Sequence, residues 1–225
     1  MAYLNRNNFG KFWPIARKGS KYVARSSHNL GESIPLMIVM RDILKLVRTK
    51  KELKKLINEK QIKINGKLIQ VVNYPICLFD VLSLEVMKKN YKMVLLESKK
   101  FGFEEIADKD AKSRVYKVLD KKILSKGVVQ LNLNSGKNVL SKEKVGIGDG
   151  IVLDFSGKIL GVVKLDKGSN AVVIEGKHAG NKGKIEHVFE RGGKKLVKIK
   201  LNDGSKVKKD SGESVNVWVK NVMVE

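Results

Sequence analysis

Apolar and polar positions along this chain repeat with two different periods. Leu36, Val39, Met40, Ile43, Leu44 and Val47 recur at three- and four-residue steps, which is the spacing of one helix face. Ile34-Pro35 opens this stretch, since proline is tolerated in a first helical turn, and the pattern predicts a helix running to about Val47. Thr49-Lys50-Lys51-Glu52 follows as a capping box: the threonine hydroxyl takes one unpaired helix N–H and the glutamate reaches back to another. A second helix to about Lys60 is expected, with Leu53, Leu56 and Ile57 on one face and Lys50, Lys51, Lys54 and Lys55 off it. From Ile62 the period drops to two. Ile62-Lys63-Ile64 and Lys67-Leu68-Ile69 flank Asn65-Gly66, two residues that accept positive φ at low cost, so a hairpin is predicted. A further strand near Asp80–Leu84 can join it, completing a compact α+β module over residues 34–88.

Beyond residue 88 the pattern is mostly of short strands. Candidates lie at 93–96, 128–133, 151–155 and 159–163, separated by Asn134-Ser135-Gly136, the glycines from Gly146 to Gly150, and Ser156-Gly157. This punctuation predicts a small β domain over residues 89–168, with a short helix expected within 107–119. Residues 169–225 open with a strand ending at Gly176, then a basic loop holding Lys177, His178, Gly180, Lys182 and Gly183, then a strand from Lys184. Later strands are expected at 196–201 and 214–219, with Asn202-Asp203-Gly204 as a turn. Glycines permit turns and close approach to a ligand backbone. Residues 1–33 instead read as a mostly irregular basic arm. Tyr3, Phe9, Phe12, Trp13 and Tyr22 alternate there with Arg6, Lys11, Arg17, Lys18, Lys21 and Arg25, and Gly10, Pro14, Gly19 and Gly31 break any long helix. Either the arm orders on RNA with its rings available for stacking, or it is a strap whose aromatics dock on their own domain.

Charge narrows the choice of partner. The 225 residues carry 46 Lys and Arg against 23 Asp and Glu, a formal net charge of +23. The four segments carry +5, +6, +7 and +5 in order, so every part of the chain is basic. Self-repulsion on that scale opposes a compact monomer, and a polyanion is the simplest remedy. Dispersed charge suits one large polyanion better than an enzyme with a single basic patch. Lysine predominates, with arginine only at 6, 17, 25, 41, 48, 114 and 191; this favours recognition of backbone and shape over base edges.

Candidate catalytic chemistry is sparse. Cys77 is the one cysteine, set in an apolar stretch and expected to be a buried inert thiol. His28, His178 and His187 have no metal-ligand spacing, and no Ser-His-Asp or Cys-His set can be argued. His178 suits either phosphate contact or a plain surface site. Glu104, Glu105, Asp108 and Asp110 lie among Lys109 and Lys112, so a solvated charged helix is expected rather than a metal or acid–base site. No apolar run is long enough for a transmembrane helix, and the N-terminus lacks the apolar stretch of a signal peptide. No cofactor, metal, membrane or small-molecule substrate is expected, and the protein is read as cytoplasmic.

Two segments resemble known families. Arg41-Asp42-Ile43-Leu44, Thr49 to Ile57, Lys63-Ile64-Asn65-Gly66-Lys67 and Asp80-Val81-Leu82-Ser83 are similar to an S4-type RNA-binding domain. The resemblance implies an RNA-facing surface on the two helices and the hairpin, here Arg41, Arg48, Lys50, Lys51, Lys54, Lys55, Lys63 and Lys67. Many members carry arginine just after the second helix cap, where this chain has Lys50 and Lys51. Ala171 to Ile185 resembles a KOW motif, a feature of ribosomal and transcription factors with SH3-like barrels. A basic arm with Phe12-Trp13, an S4-type module, a central β region and a KOW motif, in that order, resemble the archaeal and eukaryotic S4e family of ribosomal proteins. The eukaryotic C-terminal extension is absent, which points to the archaeal type. The resemblance implies a structural role in the small ribosomal subunit, bound to its rRNA and beside neighbouring ribosomal proteins. The implied RNA contacts are Arg6, Lys11, Trp13, Arg17, Lys18, Lys21 and Arg25 in the arm, the eight module cations, and Lys177, His178, Lys182 and Lys184 in the last domain. S4-type modules also accompany pseudouridine synthases, but about 80 residues in the middle are too few for such a catalytic domain. A transcription or translation factor is the other alternative.

Overall fold

The computed structural model describes residues 3–124, 127–141, 143–201 and 214–225. The chain divides into two compact units, residues 1–114 and 115–225. Strands dominate both. Among the described residues, α-helix is confined to α1 (Leu36–Ile38) and α2 (Lys50–Asn58), so the chain is richer in β than the α+β expectation.

The first unit begins with a short ribbon: β1 (Tyr3–Asn5) pairs antiparallel with β2 (Tyr22–Ala24). β3 (Ser33–Pro35) enters α1, so Ile34-Pro35 is strand rather than first helical turn. After α1 the chain continues as a π-helical stretch, Val39–Ile43, in which Leu44 N–H donates to the Val39 carbonyl at 2.9 Å. This helix stops short of the expected Val47 because Lys45 adopts φ +55°, a conformation that ends a right-handed helix. The apolar period continues past the break: Val47 is buried, but from irregular backbone.

After α2 come β4 (Ile62–Ile64), β5 (Lys67–Leu68), β6 (Pro75–Cys77), which pairs with β3, and β7 (Val81–Leu84). Asn65 and Gly66 both have positive φ, 49° and 75°, which is the two-residue hairpin turn expected from Asn-Gly. β8 (Lys89–Leu95) and β9 (Phe101–Ile106) extend the sheet to the order β5-β4-β7-β8-β9, antiparallel throughout. Residue 88 therefore lies in the turn of the β7–β8 hairpin, and the sheet runs across the boundary expected there. Ile62, Ile64, Leu82 and Met93 from this sheet and Leu53 from α2 are all at most 2% exposed.

β10 (Ser113–Ile123) leads into the second unit. The helix expected within 107–119 reduces to one 3-10 turn, Asp110–Lys112, and residues from Ser113 on are strand. Val115, Val118 and Ile123, the β-branched residues of this strand, fit a pleated strand better than a helix. β11 (Val129–Leu133), β12 (Asn138–Ser141), β13 (Gly150–Asp154) and β14 (Ile159–Val163) form a sheet of order β12-β11-β10-β13-β14. Its core is Tyr116, Val118, Leu131, Leu133, Val145, Ile151 and Leu153. β15 (Asn170–Val173), β16 (Lys182–Arg191), β17 (Lys194–Leu201), β18 (Ser214–Trp218) and β19 (Val222–Val224) form the other sheet, of order β18-β17-β16-β15-β19. Val173, Ile185, Val197, Ile199, Val222 and Val224 are buried in its core. The turn expected at Asn202-Asp203-Gly204 lies outside the described residues.

Candidate nucleic-acid interface

The outer face of α2 is a concentrated cationic surface. Thr49 caps the helix, its Oγ1 accepting from Glu52 N–H at 3.3 Å, and Glu52 Oε2 accepts from Arg48 N–H at 2.8 Å. The reciprocal bonds thus span one residue more than the expected box. The Arg48 N–H, and the Thr49 hydroxyl donating to Glu52 Oε1 at 3.0 Å, hold the Glu52 carboxyl below its ordinary value. Burial of Leu53 and Ile57 fixes the rotation of the helix, so Lys50, Lys51, Lys54 and Lys55 face solvent. Lys55 approaches Glu59 at 3.9 Å; among the described residues Lys50, Lys51 and Lys54 make no ion pair. Arg48 is exposed at the same helix end.

The remaining module cations are more engaged. Arg41 forms two 2.8 Å bonds to Asp42, which raise its pKa and satisfy part of its fork. Lys63 lies 2.6 Å from Glu85, whereas Lys67 is exposed beside the hairpin turn. The hairpin is pinned from within. Asn65 Nδ2 donates to Asp80 Oδ1 at 2.6 Å, Val81 N–H donates to Asn65 Oδ1 at 3.0 Å, and Cys77 N–H donates to Asp80 Oδ2 at 2.6 Å. Arg114 pairs with the same carboxylate, and both side chains are almost fully buried, at 3% and 6% exposure. Arg114 Nη2 also donates to the Leu78 carbonyl at 2.8 Å. Burial beside Asp80 pushes the Cys77 thiol up to about 11, which keeps it protonated and unreactive at neutral pH.

The basic arm is largely a docked strap. Trp13 is 2% exposed, stacks on Phe9 at 5.7 Å and donates its indole N–H to the Ser33 carbonyl at 3.0 Å. Its ring is therefore not available to stack on a base, contrary to the expectation for Trp13. The reason is energetic: burying two large rings in their own unit outweighs leaving them wet. Phe12 packs tilted against Phe101, and Phe101 N–H donates to the Phe12 carbonyl at 2.8 Å. Arg6 is engaged by the arm itself, donating to the Ser20 and Ala16 carbonyls at 2.6 and 2.5 Å and to Ser20 Oγ at 2.8 Å. Lys11, Arg17, Lys18 and Lys21 are exposed, with Arg17 over the Phe9 ring and Lys21 over the Tyr22 ring; Arg25 is half-buried.

In the second unit, the loop from Ile174 to Asn181 is closed by Gly180 N–H to the Val173 carbonyl at 2.8 Å and Val173 N–H to the Asn181 carbonyl at 3.0 Å. It carries exposed Lys177 and half-buried His178. β16 starts at Lys182, two residues earlier than expected, and Lys182 and Lys184 point outward while Gly183 and Ile185 are buried. Gly183 serves packing rather than a ligand: a Cβ there would collide with the Lys200 carbonyl on β17, with Ile199 Cγ2 2.8 Å away. The carboxylates expected on a charged helix lie elsewhere. Glu104 and Glu105 are on β9, Lys89 pairs with Glu105 at 3.0 Å, and Asn90 donates to Asp108 at 2.6 Å. Among the described residues no three His, Cys, Asp or Glu side chains gather to hold a metal ion, and no helix is long and apolar enough to cross a membrane. Nothing in the sequence marks out Trp218, Lys194, Lys195 and Lys220, which gather on the second unit, because a strand pattern alone does not reveal which outward ring has cations around it.

Residues 34–82 match the family model described as S4 domain, and residues 87–159 match the one described as Ribosomal family S4e. The small ribosomal subunit protein eS4 of Methanocella arvoryzae is 31% identical over 195 residues, covering 83% of this chain and 80% of that protein. The eS4 of Desulfurococcus amylolyticus is 31% identical over 219 residues, covering 91% and 87%. That of Archaeoglobus fulgidus is 33% identical over 180 residues, covering 78% and 75%. The crystal structure of 30S ribosomal protein S4e from Thermoplasma acidophilum shares the fold, with a TM-score of 0.70 at 20% identity over 86% of this chain and 94% of that one. With the helix-and-hairpin module in its S4 match and identity to eS4 proteins sustained along both chains, this protein belongs to the S4e family of ribosomal proteins.

Proposed function

We propose that the chain is a structural constituent of the small ribosomal subunit, cytoplasmic and non-catalytic, that binds rRNA and supports subunit assembly and translation. The observation that carries this reading is the lysine face of α2. Lys50, Lys51 and Lys54 are exposed without an acidic partner among the described residues, on a helix within the S4 match. A cationic face held rigid by a capped, packed helix neutralises phosphates with little further loss of entropy. Arg41, Arg48, Lys55, Lys63 and Lys67 are read as further phosphate contacts of the same module. Lys11, Arg17, Lys18, Lys21 and Arg25 add a contact from the arm, with Arg6 bracing it from inside.

In the last segment, Lys177, His178, Lys182 and Lys184 read as a further phosphate-facing edge. The strand–loop–strand there suits a KOW motif within an SH3-like barrel over 169–225. Along the sequence we read an arm (1–33), an S4-type segment (34–88), a central β-rich segment (89–168) and a KOW segment (169–225) as functional stretches rather than folding units, since one sheet crosses residue 88 and the compact units divide at 114. Neighbouring ribosomal proteins complete the surroundings.

Affinity for small-subunit rRNA measured against salt tests this reading. Neutralising about six to ten phosphates implies a loss of about 10³–10⁵ in affinity between 50 and 200 mM salt, by analogy with duplex DNA. Replacing Lys50, Lys51 and Lys54 by alanine should reduce the log–log slope by about one for each phosphate no longer neutralised. An affinity indifferent to salt, or a cellular pool sedimenting mainly away from small subunits, would refute it.

A further inference from the structure

A pocket of about 500 Å3 opens in the second unit between β10, the turn at Ile147-Gly148, the start of β17 and the end of β18. Its wall is apolar. Trp218 is 42% exposed, and Leu119 and Ile147 are each 49% exposed. Its rim is cationic: Lys194, Lys195 and Lys220 line it, and no carboxylate does among the described residues. Lys194 Nζ stands 5.3 Å from the Trp218 ring centroid. The S4-type segment belongs to the other unit, and no residue of it lines this pocket.

The pocket is built rather than incidental. Lys117, only 3% exposed, donates to two carbonyls of the turn after β18, Val219 at 2.5 Å and Lys220 at 2.7 Å, and to that of Val222 at the start of β19 at 2.6 Å. Three acceptors match the three N–H bonds of an ammonium, and they fix the backbone that follows Trp218 and carries Lys220. On the floor, Gly148 has φ +97°, and a Cβ there would stand 2.8 Å from Val219 Cγ1. Glycine lets this loop close on the turn.

A large exposed ring beside an apolar shelf is unfavourable in water. The lysines around it make no ion pair among the described residues, with Glu190 standing cross-strand from Lys195, and their surplus of positive charge favours an anion. An acidic peptide would answer the charge but not the flat ring. One ligand chemistry answers both: a base to stack on the indole and a phosphate for the lysines. Lysine over an exposed ring is held more weakly than a stacked base, so Lys194 can yield the ring face and move to the phosphate. We infer that the Trp218 pocket takes an unpaired nucleotide of the bound RNA, its base against Trp218 and its phosphate between Lys194, Lys195 and Lys220. This rests on the RNA-binding reading above and adds to it a second site that recognises a single-stranded base rather than backbone alone.

The test uses the full chain with two probes, a short oligoadenylate and an abasic ribose-phosphate strand of the same length. Tryptophan emission should be quenched by oligoadenylate and not by the abasic strand, and W218F should remove the quenching, since the remaining Trp13 is buried. W218A should weaken oligoadenylate binding about 5- to 150-fold, the range expected for one stacked base, while leaving the abasic strand unchanged. W218F should retain much of the affinity lost in W218A, and K194A/K195A should weaken both probes. Because Trp218 is more than half buried beside Leu196, W218F should stay near the parent in unfolding midpoint and W218A should fall below it, both remaining folded at the temperature of the binding assay. Equal oligoadenylate binding by the parent and W218A overturns the inference and leaves the rRNA reading standing. So does crosslinking of the pocket in assembled subunits to peptide rather than nucleotide. Salt-independent rRNA binding would remove the parent reading, and this inference with it.

Discussion

Removing the Asp80 carboxylate should cost the first unit about 3–5 kcal/mol, the penalty for breaking a buried ion pair from one side. The magnitude follows from the surroundings. Asp80 and Arg114 are 6% and 3% exposed, so solvent cannot take over the guanidinium when the carboxylate goes. Asp80 also accepts from Asn65 Nδ2 and Cys77 N–H, both at 2.6 Å, so Asp80→Ala strands donors from the hairpin turn and from β6 as well. Asp80→Asn should fall between the parent and Asp80→Ala. One amide oxygen can still receive Arg114 and Asn65, but the amide N–H₂ then faces Cys77 N–H, donor against donor. Urea unfolding in a W218F background isolates the effect, because the remaining tryptophan, Trp13, is buried in the first unit. The midpoint should be highest for the parent, lower for Asp80→Asn and lowest for Asp80→Ala, with the slope unchanged. A loss below about 1 kcal/mol for Asp80→Ala, the size typical of an exposed pair, would refute the claim that this carboxylate locks the module.

Two further perturbations probe the second unit. Burial and the nearby Lys220 pull Lys117 down to about 8 from the ordinary lysine value. Between that value and about 10.5 the unfolded chain binds more protons than the folded one, so stability relative to Lys117→Met should rise as pH increases through this window; a flat difference across it, read by urea titrations at several pH values, would contradict the assignment. Gly183→Ala forces a methyl against the Lys200 carbonyl, which should destabilise the unit by about 1–3 kcal/mol and speed amide exchange in β16 and β17; unchanged exchange there would mean that the two strands absorb the methyl without strain.

What the sequence disclosed was local, and what it concealed was tertiary. The Asn65-Gly66 turn and the Thr49 cap are readable because each depends on a few adjacent residues, and both form, the cap with Glu52 reaching the Arg48 N–H as well as Thr49. The first helix is shorter than its apolar period implies because that period runs on to Val47 after Lys45 breaks the backbone. The helix expected within 107–119 failed for a different reason: charges at Asp108, Lys109, Asp110 and Lys112 look helical, yet the strand from Ser113 captures the chain into a sheet. In the arm, composition fits an RNA-ordered tail and a docked strap equally, and only the burial of Phe9 and Trp13 separates them. The lysine face of α2 was legible through its apolar stripe. The Trp218 pocket was not, since it joins residues from 117 to 221 that no local pattern links.

The role in the small subunit turns on whether the exposed lysines of α2 meet ribosomal RNA. Crosslinking of intact small subunits, mapped to single residues by mass spectrometry, reads this directly. Nucleotide adducts on Lys50, Lys51 or Lys54 are the predicted result. Adducts from these lysines to protein alone, with rRNA crosslinks absent from the whole chain, would contradict it.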